Sequence, residues 1–206
     1  DSQLVYQCLD ELGFKTTKSA WLVQGNSKFK EAGITCEDNE YLKWLLVFKE
    51  KGFEIGYHNT TFHSSQREEI KKGLHKFKTL FSHYPITMAN HYANQENIYW
   101  GPNRLTGFQR IIYNILTRFK WKNYYQGHNE TSSYFWGDLC KKHVTYVRNF
   151  VYSDINTLKC CPYMPYKDNA KPYVNYWFAS SEGNNVKVFN KCISDENQDR
   201  LEEEGG

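Results

Sequence analysis

The stretch GFEIGYHNTTFHSSQREEIKKGL, residues 52–74, decides the fold of this chain. Its first part, 53–57, is a short apolar run that is typical of a buried strand. Its last part has the polar start and the apolar spacing of an amphipathic helix. His58 and His63 lie in the connection between the two, so the sequence places two imidazoles between a strand and a helix.

The alternation of strand and helix extends to both sides of this stretch. Strands are predicted at 15–23, 53–57, 86–90, 144–152 and 174–180, and helices at 4–12, after an Asp38 cap, after a Ser65–Glu68 capping box, at 107–119 and at 194–206. Strands separated by single helices favour parallel strands and an α/β fold. Because no repeat or low-complexity linker interrupts the pattern, the sequence predicts a single domain over residues 1–206.

Composition narrows the class of protein and of partner. The chain is 40% hydrophobic and 17% aromatic, which is typical of a globular protein and suits sugar recognition, although most aromatic rings serve the core. The net charge of +3 comes from basic residues that are spread out, so no nucleic-acid partner is expected. No apolar run is long enough to cross a bilayer, and no membrane span is predicted.

The cysteines bear on the compartment. The chain has six, and none forms a C-x-x-C pair of the kind found in zinc ribbons and redox sites. The number is also low for a disulfide scaffold of this length. Free thiols in a reducing compartment are the simplest account, and a cytoplasmic location is predicted.

The predicted fold indicates where the two histidines lie in the sheet. In parallel α/β proteins, ligands and catalytic groups gather at the carboxyl ends of the strands. His58 follows a strand directly and His63 lies just before a helix, so both belong to that edge. Two imidazoles are part of the donor set of a zinc site, which needs three protein ligands and an open position. The alternative is a pair of solvent-facing loop histidines.

Residues 52–74, with LDELGFKTTKSAWLVQG at 9–25, resemble the polysaccharide deacetylase family, the NodB-like metal-dependent deacetylases. The resemblance covers residues 4–81. It implies a distorted (β/α) barrel and a divalent metal held by one aspartate and two histidines. On this resemblance the ligands are His58, His63 and Asp1, the expected ion is Zn²⁺, and the reaction removes acetyl groups from a sugar.

The chain departs from that family in three ways. Its two histidines are five positions apart, where the family has four. The family carries a pair of aspartates, a ligand and a general base, on a strand before the first helix, and here Asp1 is the one candidate for either role. The late histidine that acts as general acid is not found. The chain resembles a longer barrel cut at both ends, and turnover is expected only from a longer version.

Further candidates follow the predicted third strand and lie in a later loop. His91 ends that strand in line with the site and is a candidate third ligand or acid, the alternative being a loop histidine bonded to the backbone. The family's Arg-Pro motif is missing there. The predicted glycan groove lies between the 58–63, 91–104 and 128–138 loops. Its predicted substrate-binding residues are Tyr99, Trp100, Arg104, Trp136 and Asp138.

The sequence therefore favours a metal-dependent hydrolase that removes acetyl groups from an oligo- or polysaccharide. One alternative is a catalytically inactive glycan-binding domain of the same fold. Another is a hydrolase of a different, non-peptide carbon–nitrogen bond, because one fold hosts several reactions.

Overall fold

The apolar runs form the strands of one parallel sheet. The computed structural model describes residues 2–25, 33–152, 155–181, 186–192 and 194–204. The strands are β1 (Thr17–Ala20), β2 (Glu54–Tyr57), β3 (Thr87–Ala89), β4 (Tyr146–Tyr152) and β5 (Tyr176–Ser181), and their order in the sheet is their order in the chain. Every neighbouring pair is parallel. The predicted α/β fold is thereby confirmed at the level of class and sheet.

Helices occupy the connections between the strands. They are α1 (Ser2–Glu11), α2 (Asn39–Glu50), α3 (Arg67–Phe81), α4 (Gly107–Leu116), α5 (Gly137–His143), α6 (Thr157–Cys160), α7 (Val186–Cys192) and α8 (Asp195–Glu204), with a 3-10 turn at Gly101–Arg104. Crossovers between parallel strands are right-handed. A chain that adds each new strand to the same edge therefore sends its crossover helices to the same face of the sheet.

The core lies between that face and the helices. One buried residue from each strand forms a row across the sheet, and the strand register aligns its members: Ala20, Tyr57, Met88, Val147 and Trp177. Helices α2 and α3 cover the row with buried side chains that include Phe48, Leu74 and Phe77. Burial of each large apolar side chain contributes about 1.5–3 kcal/mol. This packing fixes the order and register of the strands.

On the opposite face of the sheet, strands β1, β2 and β3 carry small and polar residues. Because side chains alternate along a strand, the neighbours of the buried row point the other way. Here the hydroxyl groups of Thr17 and Thr87 donate to the two carboxylate oxygens of Glu54, over 2.6 Å and 2.8 Å. Ser19 and Gly56 lie beside them, and a cavity of about 290 Å³ covers this face.

Helix α3 begins one residue later than the sequence indicates. The capping box joins Gln66 and Glu69 rather than Ser65 and Glu68. Ser65 is instead part of the preceding loop, since its N–H donates to Glu96 and its hydroxyl group bonds to Thr61. The predicted capping box was therefore wrong by one position, because a distant carboxylate binds the serine.

Among the other elements, helices α6 and α7 were not predicted, and two further differences concern α4 and α5. The predicted fourth helix ends at Leu116, three residues early, because Arg118 and Phe119 adopt positive φ angles of 50° and 58°. Helix α5, within the predicted 128–138 loop region and beyond it, was not predicted. In the described residues no helix is long and apolar enough to cross a membrane, and Cys8, Cys36, Cys140, Cys160 and Cys161 are free thiols.

Gly73 provides a test of the packing between α3 and the loop after β2. A Cβ atom at this position would overlap the side chain of Thr60, which is buried and bonded to the Tyr57 hydroxyl group over 2.7 Å. We expect Gly73→Ala to lower the free energy of unfolding by about 1–2 kcal/mol, because overpacking outweighs the gain in helix propensity. Urea denaturation measures this. Lys72→Ala, at the exposed neighbouring position, is the control and should change stability by less than about 0.5 kcal/mol. An equal or greater stability of Gly73→Ala would contradict the packing described.

Candidate functional site

Aromatic and imidazole rings from three neighbouring strands meet at the carboxyl edge of the sheet. Trp21 follows β1, His58 follows β2 and His91 lies just beyond β3. The ring centroids of His58 and His91 are 5.3 Å apart. The ring centroid of Trp21 lies 4.9 Å from that of His58 and 5.4 Å from that of His91. Phe62 closes the cluster against His91 at 4.9 Å. The structure therefore brings together two of the three histidines singled out by the sequence.

Each of these two imidazoles is held through its Nδ1 atom. His58 Nδ1 is hydrogen-bonded to the Ser19 hydroxyl group over 2.7 Å, and His91 Nδ1 lies 3.1 Å from Asn94 Oδ1. The Asn94 amide nitrogen donates to the His63 carbonyl oxygen and to Glu96, so its Oδ1 is the acceptor. His91 therefore carries its proton on Nδ1 and presents a bare Nε2. Such anchoring of one ring nitrogen is typical of histidines that bind through the other.

The electrostatic environment keeps both rings neutral. Burial is the largest of the causes that lower the pKa of His58 to about 3, and the nearby His91, Arg148 and Lys18 lower it further. Burial also lowers the pKa of His91. Neutral imidazole is the form that accepts a proton or binds a metal.

His63 is held by a separate set of contacts. Its Nδ1 donates to the Ser64 carbonyl oxygen over 3.0 Å. Its Nε2 lies directly against Gly25, where a Cβ atom would overlap it. The absence of a side chain at residue 25 therefore lets the ring occupy this position.

The donor chemistry suits a metal, but the described residues hold only part of a ligand set. In the described ranges no group of three or more His, Cys, Asp or Glu side chains is placed to hold a metal ion. The predicted third ligand, Asp1, lies outside the described residues. Neutral imidazoles with anchored Nδ1 atoms fit Zn²⁺, and the ligand set of His58, His63 and Asp1 stays a prediction.

A buried carboxylate that the sequence did not single out organises the loops around the site. Glu96 is 1% exposed. Its oxygens accept from the side-chain amides of Asn59 and Asn94, over 3.2 Å and 2.9 Å, and from the Ser65 N–H over 3.1 Å. The one signal in the sequence is a lone acid within the amide-rich stretch ANQEN, residues 93–97. Glu96 thus joins the loop after β3 to the loop that carries His63.

Burial and hydrogen bonding act in opposite directions on Glu96. Burial raises its pKa to about 7, whereas the donated hydrogen bonds, its own backbone N–H among them, lower it and only partly offset the burial. The folded chain therefore binds a proton here more tightly than the unfolded chain does.

Three of the predicted groove residues have other roles. Trp136 is 0% exposed and its Nε1 donates to the Glu96 carbonyl oxygen over 2.6 Å, so it is a core residue and the prediction of a sugar platform there was wrong. Tyr99 is also buried, with its ring centroid 4.4 Å from that of His128. Asp138 forms a bidentate ion pair with Arg67, over 2.6 Å and 2.7 Å. These three side chains are therefore held by contacts within the protein, and the space that remains between the 91–104 and 128–138 loops is lined by other residues.

Trp100 and Arg104 form a stacked pair. The Arg104 guanidinium lies 4.2 Å from the ring centroid of Trp100 and 4.9 Å from that of Phe150. It also donates to the Asn149 carbonyl oxygen over 3.3 Å. One face of Trp100 is therefore covered by a cation, and a sugar can stack only on the other.

Two cavities lie near these residues. The cavity of about 290 Å³ over the open face of the sheet is lined by Ser19, which bonds to His58, and by Arg148, whose charge His58 senses. A wider, polar cavity of about 520 Å³ is lined by residues that include His128, Glu130 and Tyr173. The first of these cavities adjoins the imidazole cluster through Ser19.

Glu96 makes the stability of the fold depend on pH. Its pKa is about 7 when folded and roughly 4.3 in an unfolded chain, so the free energy of unfolding should fall as the pH rises from about 5 to about 7. Glu96→Gln removes this titration and places an amide NH₂ group, which is a donor, against the N–H groups that donate to Glu96 in the parent. We expect the variant to be less stable than the parent at about pH 5, with the difference narrowing towards about pH 7. Urea denaturation across this range measures both.

Glu50→Gln, at an exposed position, is the matched control and should follow the parent curve at every pH. A difference between the parent and Glu96→Gln that stays constant or widens with pH would show that Glu96 is not the titrating group.

Compared with protein-family models, curated proteins and solved structures, the chain matches none of them. Its function must therefore be argued from the chemistry of these residues.

Proposed function

We propose that this protein is a metal-dependent hydrolase that removes acetyl groups from a glycan. The observation that carries the proposal is the pairing of His58 and His91 at the carboxyl edge of the sheet, 5.3 Å apart and each anchored through Nδ1. A parallel sheet whose strands follow chain order is compatible with the (β/α) barrel implied by the family resemblance.

The proposed metal ligands are His58, His63 and Asp1. A divalent ion such as Zn²⁺ supplies a Lewis acid, which polarises the acetyl carbonyl group and lowers the pKa of water. The Nδ1 atom of His63 donates to the Ser64 carbonyl oxygen, so Nε2 is the atom that would bind the ion. The contact of that Nε2 with Gly25 must open for the ion to reach it.

His91 is the proposed acid–base group. In the tautomer set by Asn94, its Nε2 is free to take a proton from the attacking water. The same atom can then deliver the proton to the leaving nitrogen or oxygen of the sugar. Trp21 and Phe62 flank the ring and limit the access of bulk water to it.

The substrate is proposed to occupy the cavity over the open face of the sheet. Its hydroxyl groups, from Thr17, Ser19 and Ser180, can pair with the hydroxyl groups of a sugar. Arg148 supplies a positive charge on the same wall, where it can stabilise the negative charge that develops on the acetyl oxygen. This location is preferred to the groove between the loops, because Ser19 on its wall bonds to His58.

Metal content separates the proposed ligands from the proposed acid–base group. We expect the parent protein to retain about one Zn²⁺ per chain by elemental analysis. His58→Ala and His63→Ala should lose it, whereas His91→Ala should keep it and, in the longer version from which turnover is expected, lose acetate release from acetylated oligosaccharides by about 100-fold or more. His75→Ala, an exposed histidine on α3, is the control and should change neither.

Each other outcome has a definite meaning. Metal content unchanged in both His58→Ala and His63→Ala would remove the proposed site. Loss of metal in His91→Ala would make His91 a ligand rather than an acid–base group. A metal-loaded protein that binds acetylated oligosaccharide without releasing acetate would be the inactive glycan-binding domain.

Arg148 tests where the substrate binds. Arg148→Gln should weaken binding of acetylated oligosaccharides by about tenfold in calorimetry, since a charge-assisted hydrogen bond contributes about 1.5–3 kcal/mol. Metal content should not change. Trp100→Ala tests binding in the loop groove instead. A larger loss of affinity in that variant than in Arg148→Gln would show that the substrate binds between the loops.

A further inference from the structure

Helix α4 has its apolar side facing outward. The exposed large apolar residues of the helix and of the turn after it recur at helical spacing and form one stripe: Phe108, Ile111, Ile112, Ile115, Leu116 and Phe119. Phe108 is 74% and Leu116 77% exposed. We call this stripe the α4 apolar face. A surface helix normally turns such a stripe towards the core.

The side of α4 that faces the protein is polar. Its one buried residue is Asn114, and Tyr113 is partly buried beside it. Arg110 is held at the helix start by a hydrogen bond to Asn103 over 2.8 Å. The helix therefore turns Asn114 towards the protein and its apolar residues outward.

The segment that carries the α4 apolar face has charged residues of a single sign. Residues 97–129 contain no aspartate or glutamate and carry five basic residues: Arg104, Arg110, Arg118, Lys120 and Lys122. Lys120 lies 4.5 Å from the ring centroid of Trp121, and Lys122 lies 5.8 Å from that of Phe119. Basic side chains therefore border the apolar stripe, with their heads free to remain in water.

Aromatic residues complete the border. Tyr92 is exposed, and its ring lies 5.9 Å from Trp121 in an edge-to-face contact. Tyrosine and tryptophan favour the boundary between water and hydrocarbon, because each has an apolar ring and a polar group. An apolar stripe with basic and aromatic borders is the pattern of a helix that lies in a membrane interface.

We propose that the α4 apolar face docks on the surface of an anionic lipid bilayer. The apolar residues enter the boundary between headgroups and acyl chains, and the basic residues bind lipid phosphates. A second copy of the chain is a poorer partner, because a face-to-face dimer would bring together two basic borders, each of which carries Arg118 and Lys120. Docking is independent of the proposed hydrolase activity, and nothing in it requires a spanning helix.

Docking would also orient the carboxyl edge of the sheet. Tyr124, in the segment after α4, donates from its hydroxyl group to the Ala93 carbonyl oxygen over 2.9 Å. Ala93 belongs to the loop that follows His91. The α4 apolar face and the imidazole cluster are thus linked through one packed loop.

Sedimentation with vesicles tests the proposal on the parent protein. We expect binding to vesicles containing about one-third phosphatidylglycerol to be at least about tenfold stronger than binding to phosphatidylcholine alone. Added salt should weaken it. Phe108→Gln with Leu116→Gln should reduce binding by about tenfold or more, and Arg118→Gln with Lys120→Gln should remove most of the preference for anionic lipid.

Matched controls distinguish the effect of the α4 apolar face from the effect of exposed apolar or basic residues elsewhere on the protein. Leu4→Gln with Phe14→Gln replaces two residues that are 71% and 62% exposed elsewhere, and Lys141→Gln with Lys142→Gln removes two exposed charges on α5. Neither pair should change binding by more than about twofold. Equal effects of test and control pairs, or no binding to anionic vesicles, would overturn the proposal. So would a concentration-dependent dimer in analytical ultracentrifugation that Phe108→Gln with Leu116→Gln converts to a monomer.

Discussion

The buried carboxylate of Glu96 is the constraint on which the candidate site depends. A carboxylate removed from water is costly unless donors surround it. Here amide and backbone N–H groups from three places in the chain converge on it, and one of them belongs to Asn94. Because Asn94 also accepts from His91 and donates to the His63 carbonyl oxygen, the positions of both histidines follow from the burial of one acid.

The alternation of side chains along the strands accounts for the rest of the site. On one face the row through Tyr57 and Val147 is large and apolar, and the helices cover it. On the other face the residues of β1, β2 and β3 are small or polar, which leaves space for a cavity. His58 continues the alternation of Glu54 and Gly56, and its N–H still bonds to the Ala20 carbonyl oxygen as in the strand. Its ring therefore meets Ser19 at the end of the open face.

The sequence was sufficient for the elements and for the edge at which the histidines lie. Apolar periodicity and the Asp38 cap are local signals, and the structure contains the strands and helices they indicate. The roles of Glu96 and Trp136 were not predictable in this way, because their partners lie 31 to 40 residues away. An acid in a polar loop and a tryptophan near a predicted site have the same local pattern whether they are buried or exposed.

Apolar periodicity predicts helix α4 but not the direction in which its apolar side faces. The spacing of apolar residues predicted a helix at 107–119, and the helix is present over most of that range. The spacing of apolar residues defines which of them share a face of the helix. Contacts with the rest of the chain decide whether that face is buried or exposed. Beside α4 the chain offers the Asn103 side chain, which binds Arg110, and the helix buries Asn114 rather than its apolar residues. The free energy of hydrating the outward apolar stripe is therefore a cost that the isolated chain bears, and contact with an apolar phase would remove it.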